Sequence, residues 1–336
     1  MKSIATLLLA SAAMIASSNA MAAPNVVVSI KPIHSLVAAI MEGVAEPQLI
    51  VDGGASPHTY NLKPSNAKAI EGAEVVFWVG DGLEKFLEKP LESLAGKATV
   101  VELDDAPGLE KLKFREGGPF EAHDHGEHEG HEHGEEAGHD HAHEGEHSHD
   151  HSHDHAHEDG HDHDEGEYDM HLWLDPMNAK AMATEIEKTL MTADPANAKA
   201  YQDNTRKLVD NLDALDKELA ETIAPVKDKP FIVFHDAYQY FEHRYGVKTA
   251  GSITVSPENM PGADRIKQIH AKVKELNATC VFAEPQFEPK LVNVVIEGTN
   301  AKSATLDPEA ATLEAGPDLY FKLMRGIAGS LKNCLS

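Results

Sequence analysis

One segment of this sequence cannot build a folded core. Residues 121–167 contain 16 histidines and 18 aspartates or glutamates, with no lysine, no arginine and no apolar side chain larger than alanine. Such a segment buries too little apolar surface to offset the conformational entropy lost when a chain becomes ordered. We therefore predict a disordered insertion over 121–167, and the fold must come from the residues on either side of it.

The two flanks of the insertion contain short β-branched runs that alternate with helix-like segments. Four runs precede the insertion and four follow it: Asn25–Ile30, Gln48–Val51, Glu74–Val79, Ala98–Leu103, Phe231–His235, Val247–Ile253, Thr279–Ala283 and Ala301–Leu306. Strands that alternate with helices are typical of parallel sheets covered by helices. We predict an α/β fold with two lobes, each built on a mostly parallel sheet flanked by helices.

Between the two groups of strands the sequence predicts two helices. Each begins at an Asp-Pro pair, at Asp175 and Asp194, and this pair is typical of a helix N-terminus. The second helix is expected to reach Ile223 and carries four leucines on one face, Leu208, Leu212, Leu215 and Leu219. Such a helix spans about 40 Å, enough to join both lobes rigidly. A helix that belongs to one lobe only fits the same pattern.

The amino terminus has the features of a secretory signal. Lys2 precedes the apolar run Ile4–Ile15, and small residues lead to Ala22, after which we predict cleavage. No later stretch reaches the roughly 20 apolar residues of a membrane-spanning helix, so we expect no insertion into the membrane. The exported chain is then predicted to divide into a first lobe over 23–193, a linking helix over 194–224 and a second lobe over 225–336.

The sequence contains only two cysteines, Cys280 and Cys334. In an exported chain an even pair predicts one disulfide, and the spacing lacks the CxxC pattern of zinc sites. We therefore expect the two thiols to be joined.

The net charge of the chain limits the classes of partner that it can bind. The formal net charge is −27, which falls to −9 when the 18 carboxylates of the insertion are left out. A strongly acidic protein repels phosphate backbones and anionic lipid surfaces. Nucleic acids and membrane surfaces are therefore poor candidate partners, and cations are good ones.

Six histidines lie outside the insertion, and three of them stand where ligands are expected. Small ligands in open α/β sheets bind beyond the carboxyl ends of the strands. His235 ends a predicted strand, His58 lies in a turn-rich loop after a strand, and His171 lies where apolar residues resume after the insertion. Three neutral imidazoles suit a borderline-soft divalent cation, and we expect Zn²⁺. His34, His243 and His270 are expected to be structural or exposed.

The fourth ligand of such a site is open between three candidates. Asp307 follows the strand Ala301–Leu306, and Glu284 follows the strand Thr279–Ala283. We favour Asp307, because Glu284 could instead cap the next helix or accept a hydrogen bond from a ligand. Water is the third candidate.

Three histidines and a bound water also describe a catalytic zinc site, as in a zinc hydrolase. Such an enzyme needs a general base beside the water. The two HExxH strings of the chain, over 143–147 and 157–161, lie in the insertion predicted to be disordered, whereas a hydrolytic site needs this motif on a helix. We therefore predict a binding protein and no enzyme.

Four motifs carry a resemblance to a known family. They are Ser56-Pro57-His58-Thr59-Tyr60, His171-Leu172-Trp173-Leu174-Asp175-Pro176, Phe234-His235-Asp236-Ala237-Tyr238 and Phe282-Ala283-Glu284-Pro285-Gln286-Phe287. In their order, and with a histidine-rich insertion between the first two, the sequence resembles the periplasmic zinc-binding proteins of ABC-type zinc uptake systems. The resemblance spans nearly the whole chain after residue 22.

The resemblance implies a periplasmic receptor, expected as a monomer, that delivers Zn²⁺ to a membrane permease. It places the metal in the cleft between the lobes, with ligands at His58, His171 and His235, and Asp307 matches a position where many relatives supply an aspartate. Manganese-binding relatives have a carboxylate at the position of His235, so histidine favours zinc. Some zinc-binding relatives have a glutamate before the first histidine, where this chain has Pro57. A periplasmic zinc buffer without a transporter is the alternative.

Overall fold

A computed structural model describes residues 23–115, 120, 168–254, 260–287 and 290–336. The predicted signal peptide over 1–22 and the predicted insertion over 121–167 lie outside the described residues.

The first sheet contains four parallel strands in the order β2-β1-β3-β4. The strands are β1 (Val26–Val28), β2 (Gln48–Leu49), β3 (Val75–Trp78) and β4 (Thr99–Glu102). The helices around them are α1 (Lys31–Ile40), α2 (Pro64–Glu71), α3 (Asp81–Glu84) and α4 (Glu88–Leu94). A 3₁₀ turn at Pro57–Thr59 follows β2 and carries one of the predicted ligands. All four strands lie within the predicted runs.

Two helices follow, as predicted. The first, α5 (Pro176–Ala193), begins where the Asp175 carboxylate accepts a hydrogen bond from the Met177 N–H at 2.7 Å. The second, α6 (Ala198–Ile223), follows a 3₁₀ turn at Pro195–Asn197 and is 26 residues long, or about 39 Å.

The second sheet repeats the first. It has four parallel strands in the order β6-β5-β7-β8, namely β5 (Phe231–His235), β6 (Thr249–Thr254), β7 (Cys280–Ala283) and β8 (Lys302–Thr305). Its helices are α7 (Gln239–Tyr245), α8 (Ala263–Leu276), α9 (Lys290–Ile296) and α10 (Leu319–Leu335). The predicted fold class, two parallel sheets flanked by helices and joined by a long helix, is confirmed.

The long helix α6 packs against both lobes. Its four predicted leucines are buried, and the helix contacts α1 and α5 as well as α7 and α10. One continuous cluster of buried apolar side chains includes Val27 and Phe77 from the first sheet, Leu212 from α6, and Phe231 and Phe282 from the second sheet. Because core packing resists deformation, this shared core favours small movements of one lobe against the other.

Polar contacts also fasten the second lobe to the first. The Lys31 ammonium group at the start of α1 donates to the carbonyl oxygens of Ala310, Ala311 and Leu313, at 3.3, 3.1 and 2.8 Å. The Trp173 indole N–H donates to the Pro308 carbonyl at 2.9 Å. These bonds fix the segment that follows β8.

The predicted disulfide is present and joins Cys280 at the start of β7 to Cys334 near the end of α10. It ties the carboxyl-terminal helix to the centre of the second sheet. Among the described residues, no helix combines the length and the apolar character that a membrane crossing requires.

Candidate metal centre

Three histidines from separate segments meet between the two sheets. His58 lies in the 3₁₀ turn after β2, His171 immediately precedes a 3₁₀ turn over 172–174, and His235 is the last residue of β5. One ligand nitrogen of each lies within 4.8 Å of the other two, and the Nε2 atoms of His171 and His235 are 3.3 Å apart. The fold therefore brings together the three predicted histidines.

Local structure explains how each imidazole reaches this point. The backbone of β5 directs His235 to the carboxyl end of the sheet, where parallel strands leave space for a ligand. The Tyr60 hydroxyl donates to the Ile50 carbonyl at 3.0 Å and ties the loop of His58 to the end of β2. The buried Trp173 ring lies 5.3 Å from the His171 ring and supports it.

Two of the histidines are oriented by buried carboxylates. The Nδ1 atom of His171 lies 2.7 Å from Asp169 Oδ1, and the Nδ1 atom of His235 lies 2.6 Å from Glu284 Oε2. An imidazole that donates from Nδ1 presents the lone pair of Nε2 to a metal, and such carboxylate–histidine pairs are common at zinc sites. Glu284 thus has the hydrogen-bonding role that the sequence left open for it.

Asp169 was not among the site residues predicted from the sequence. Its position two residues before His171 was the available signal, because its carboxylate also accepts the His171 backbone N–H, at 3.0 Å. This contact closes a short local turn that fixes the imidazole.

The structure does not bring Asp307 into this group. Its Oδ1 atom accepts the Ala311 N–H at 2.8 Å, and its Oδ2 atom accepts the N–H and the hydroxyl of Thr312, at 3.1 and 2.9 Å. The carboxylate therefore closes the turn after β8. Among the described residues Asp307 is not grouped with the three histidines, so its carboxylate would have to move to bind a metal there.

The pKa values of His58 and His235 are shifted in opposite directions. Burial, together with the neighbouring His171 and His235, holds the pKa of His58 well below its ordinary value. Burial also lowers the pKa of His235, but the charge and hydrogen bond of Glu284 outweigh it and raise the pKa overall. His58 is therefore a neutral ligand at neutral pH, whereas a metal that binds His235 competes with a proton.

The remaining described histidines lie away from the cluster. The Nε2 atom of His34 contacts the Pro47 carbonyl, and the Nδ1 atom of His270 contacts the Val295 carbonyl. His243 is exposed on α7, with its Nδ1 atom 3.5 Å from Glu110. Each therefore makes a local structural or surface contact.

The comparisons with known proteins agree with this arrangement. The family model "Zinc-uptake complex component A periplasmic", or ZnuA, matches residues 26–334. The chain belongs to the ZnuA family.

Relatives in the ZnuA family match the chain over its length. The "High-affinity zinc uptake system protein ZnuA" of Brucella suis biovar 1 (strain 1330) is 60% identical over 339 residues, which cover 100% of both chains. The protein of the same name from Yersinia pestis is 37% identical over 98% of this chain and 96% of its own. A solved structure titled "Crystal structure of ZnuA" has a TM-score of 0.71 and 25% identity, and the match covers 94% of this chain and 100% of that one.

Three imidazoles and no thiolate form the donor set of this ZnuA-family cluster. Imidazole nitrogen is a good ligand for zinc and other borderline divalent metals, whereas Mg²⁺ and Ca²⁺ prefer oxygen. The cluster is therefore suited to Zn²⁺, as the sequence predicted.

Proposed function

We propose that this protein captures Zn²⁺ between its two lobes with His58, His171 and His235, and delivers it to the membrane permease of an ABC-type zinc importer. The observation that carries the proposal is the convergence of three imidazoles, two of them oriented by buried carboxylates. The names of the relatives, as zinc uptake proteins, support zinc as the cargo.

The proposed site leaves one coordination position beyond the three histidines. Water fills it, or Asp307 does after the turn over 307–312 opens. Glu284 acts from behind His235 as a hydrogen-bond acceptor. Four ligands of this kind suit the tetrahedral geometry of Zn²⁺.

The proposal includes the processing and organisation of the chain. Residues 1–22 are removed as a signal peptide, and the mature protein acts as a monomer in the periplasm without catalysing a reaction. Its lobes comprise 23–193 and 225–336, with 194–224 as the linking helix. The shared apolar core and the contacts of Lys31 support a capture step with little lobe movement.

Delivery to a permease separates a transport receptor from a zinc buffer. The zinc-loaded protein should stimulate ATP hydrolysis by the family's reconstituted permease–ATPase complex, because the loaded receptor binds the permease and promotes its cycle. The metal-free protein and a loaded protein of unrelated fold serve as controls. If the loaded protein leaves both ATP hydrolysis and zinc entry at the control level, the buffer alternative replaces the receptor.

Replacing Glu284 by glutamine should weaken zinc binding by about 10–100-fold at neutral pH, the usual effect of losing a carboxylate behind a metal-bound histidine. The amide retains the size of the side chain but not the charge that orients His235. A chelator competition assay measures this change. The matched control is Glu218→Gln, which changes an exposed glutamate paired with Arg325 on a distant surface. Equal affinities for both variants would contradict the orienting role of Glu284.

Zinc binding should also weaken in acid, and the pKa of His235 should set the pH at which the affinity begins to fall. We call this pH the onset. Since a zinc ligand must lose its proton, each unit of pH below the raised pKa of His235 should cost up to about tenfold in affinity for this one proton. Glu284→Gln removes the cause of the raised pKa, so it should move the onset to lower pH. Titrations between about pH 5 and 8 follow this onset. The same onset in both proteins would contradict the assignment.

A further inference from the structure

The residues shortly before and directly after the insertion are hydrogen-bonded to the second lobe. Residues 112–115 and 168–169, which we call the neck, lie beside each other, and the Asp169 N–H donates to the Leu112 carbonyl at 2.9 Å. The Tyr240 hydroxyl on α7 accepts the Leu112 N–H at 3.0 Å and donates to the Asp169 carbonyl at 2.6 Å. Both strands of the neck are therefore bound to the helix that follows His235.

The strongest link between the neck and the second lobe is Arg115. Its guanidinium group donates to both carboxylate oxygens of Asp236 and, at 2.8 and 3.0 Å, to both oxygens of Glu242. The side chains of Asp236 and Glu242 are only 1% and 7% exposed. The positive charge of Arg115 thus pairs with two buried carboxylates. A lysine could not form the same set of hydrogen bonds, because its ammonium group lacks the planar fork of a guanidinium group.

The two carboxylates depend on Arg115 to different degrees. Glu242 also accepts the N–H and the hydroxyl of Thr249, at 2.9 and 2.7 Å. For the Asp236 carboxylate, the hydrogen bonds found among the described residues all come from Arg115. Without Arg115, the buried Asp236 carboxylate would lose the cation that pairs with it, which destabilises its present position.

Asp236 is the residue directly after the candidate zinc ligand His235, and the neck residue Asp169 holds the candidate ligand His171 through Nδ1. Arg115 therefore links the segment that carries His235 to the neck, which leads to His171. Zinc binding gains when its ligands are held together before the metal arrives, because less conformational entropy is then lost.

We propose that Arg115 is a positioning residue: by pairing with Asp236 it holds His235 against the segment of His171 and slows the release of zinc. The inference rests on the proposed zinc site. Among the described residues the guanidinium group of Arg115 bonds to Asp236 and Glu242 and not to the three histidines, so its effect passes through Asp236. Because related complexes differ mostly in their dissociation rates, the loss of Arg115 should appear in release more than in association.

The test measures both rates on the chain over 23–336 loaded with one equivalent of zinc. A chelator whose absorbance changes when it binds zinc follows the release of the metal. Arg115→Gln should release zinc at least about tenfold faster while the association rate changes far less. The matched control, Arg325→Gln, removes an exposed arginine paired with Glu218 and should release zinc at the unchanged rate.

Two further variants separate positioning from a general loss of stability. Cys280→Ala/Cys334→Ala removes the disulfide, which is not part of this link, and should lower the melting temperature while leaving zinc release unchanged. Asp236→Ala should release zinc as fast as Arg115→Gln, and the double variant should be no faster than either, because both changes break the same link. If Arg115→Gln fails to fold, Arg115→Lys should still release zinc faster than the unchanged protein.

Zinc release rates that do not depend on Arg115 would contradict its positioning role. Unchanged release from Arg115→Gln or Arg115→Lys, with or without a lower melting temperature, overturns the positioning role. Equal acceleration in Cys280→Ala/Cys334→Ala also overturns it, because the effect would then follow stability. The proposed zinc site fails separately, if His171→Ala releases zinc at the rate of the unchanged protein.

Discussion

Replacing His171 or His235 by alanine should weaken zinc binding by more than the 10–100-fold expected for losing a carboxylate behind a ligand. Each change removes a nitrogen that would bind the metal directly, and it leaves a buried carboxylate, Asp169 or Glu284, without its imidazole partner. His58→Ala removes the third nitrogen of the same cluster and should have a comparable effect. Chelator competition at about pH 7.5, where imidazole is mostly neutral, measures all three affinities.

The chain provides a matched control for these changes. His243 is an exposed histidine on α7, away from the cluster, so His243→Ala should retain the unchanged affinity. Thermal unfolding of the metal-free variants separates lost ligation from lost folding. A loss of affinity in His243→Ala equal to that in His235→Ala would contradict a site made by specific histidines.

Removing the disulfide should lower the free energy of unfolding by about 4 kcal/mol, the loop-closure entropy for a crosslink between residues 54 positions apart. The bond joins β7 to α10, and both its cysteines are buried. Urea unfolding of Cys280→Ala/Cys334→Ala in the metal-free state measures the change. Since neither cysteine lies in the histidine cluster, the folded double variant should still bind one zinc ion.

Reduction of the disulfide offers an independent control. A reducing agent should destabilise the unchanged protein to the level of the double variant and should leave the double variant unaffected. A change in unfolding free energy well below 1 kcal/mol would contradict a stabilising crosslink.

Local sequence patterns were sufficient for the fold and for the three histidines. The β-branched runs predicted all eight strands, because a short apolar run between turn residues has few alternatives as a buried parallel strand. His235 could be placed because it directly ends such a run, where the side chain must lie at the carboxyl edge of the sheet. The spacing of the four leucines predicted the buried face of α6, because residues three and four positions apart lie on one side of a helix.

Contacts between distant segments could not be predicted in the same way. Asp307 also follows a strand, but the end of a strand does not determine where a side chain two residues later points, and its carboxylate closes a turn on Ala311 and Thr312. Arg115 and Asp236 are 121 positions apart, so their pairing depends on the packing of the neck against α7. Neither residue lies in a periodic pattern that could have revealed the contact.

The most direct test of the account is a calorimetric zinc titration at about pH 7.5 on the chain with residues 121–167 deleted, alone and with His171→Ala. The account predicts one tight site per chain that survives the deletion and loses at least 1.4 kcal/mol of binding free energy, or tenfold in affinity, when His171 is replaced. The opposite result is that the tight site disappears when residues 121–167 are deleted, and that His171→Ala then causes no further loss of zinc affinity. In that case the insertion is the zinc binder and the assignment of the histidine cluster is wrong.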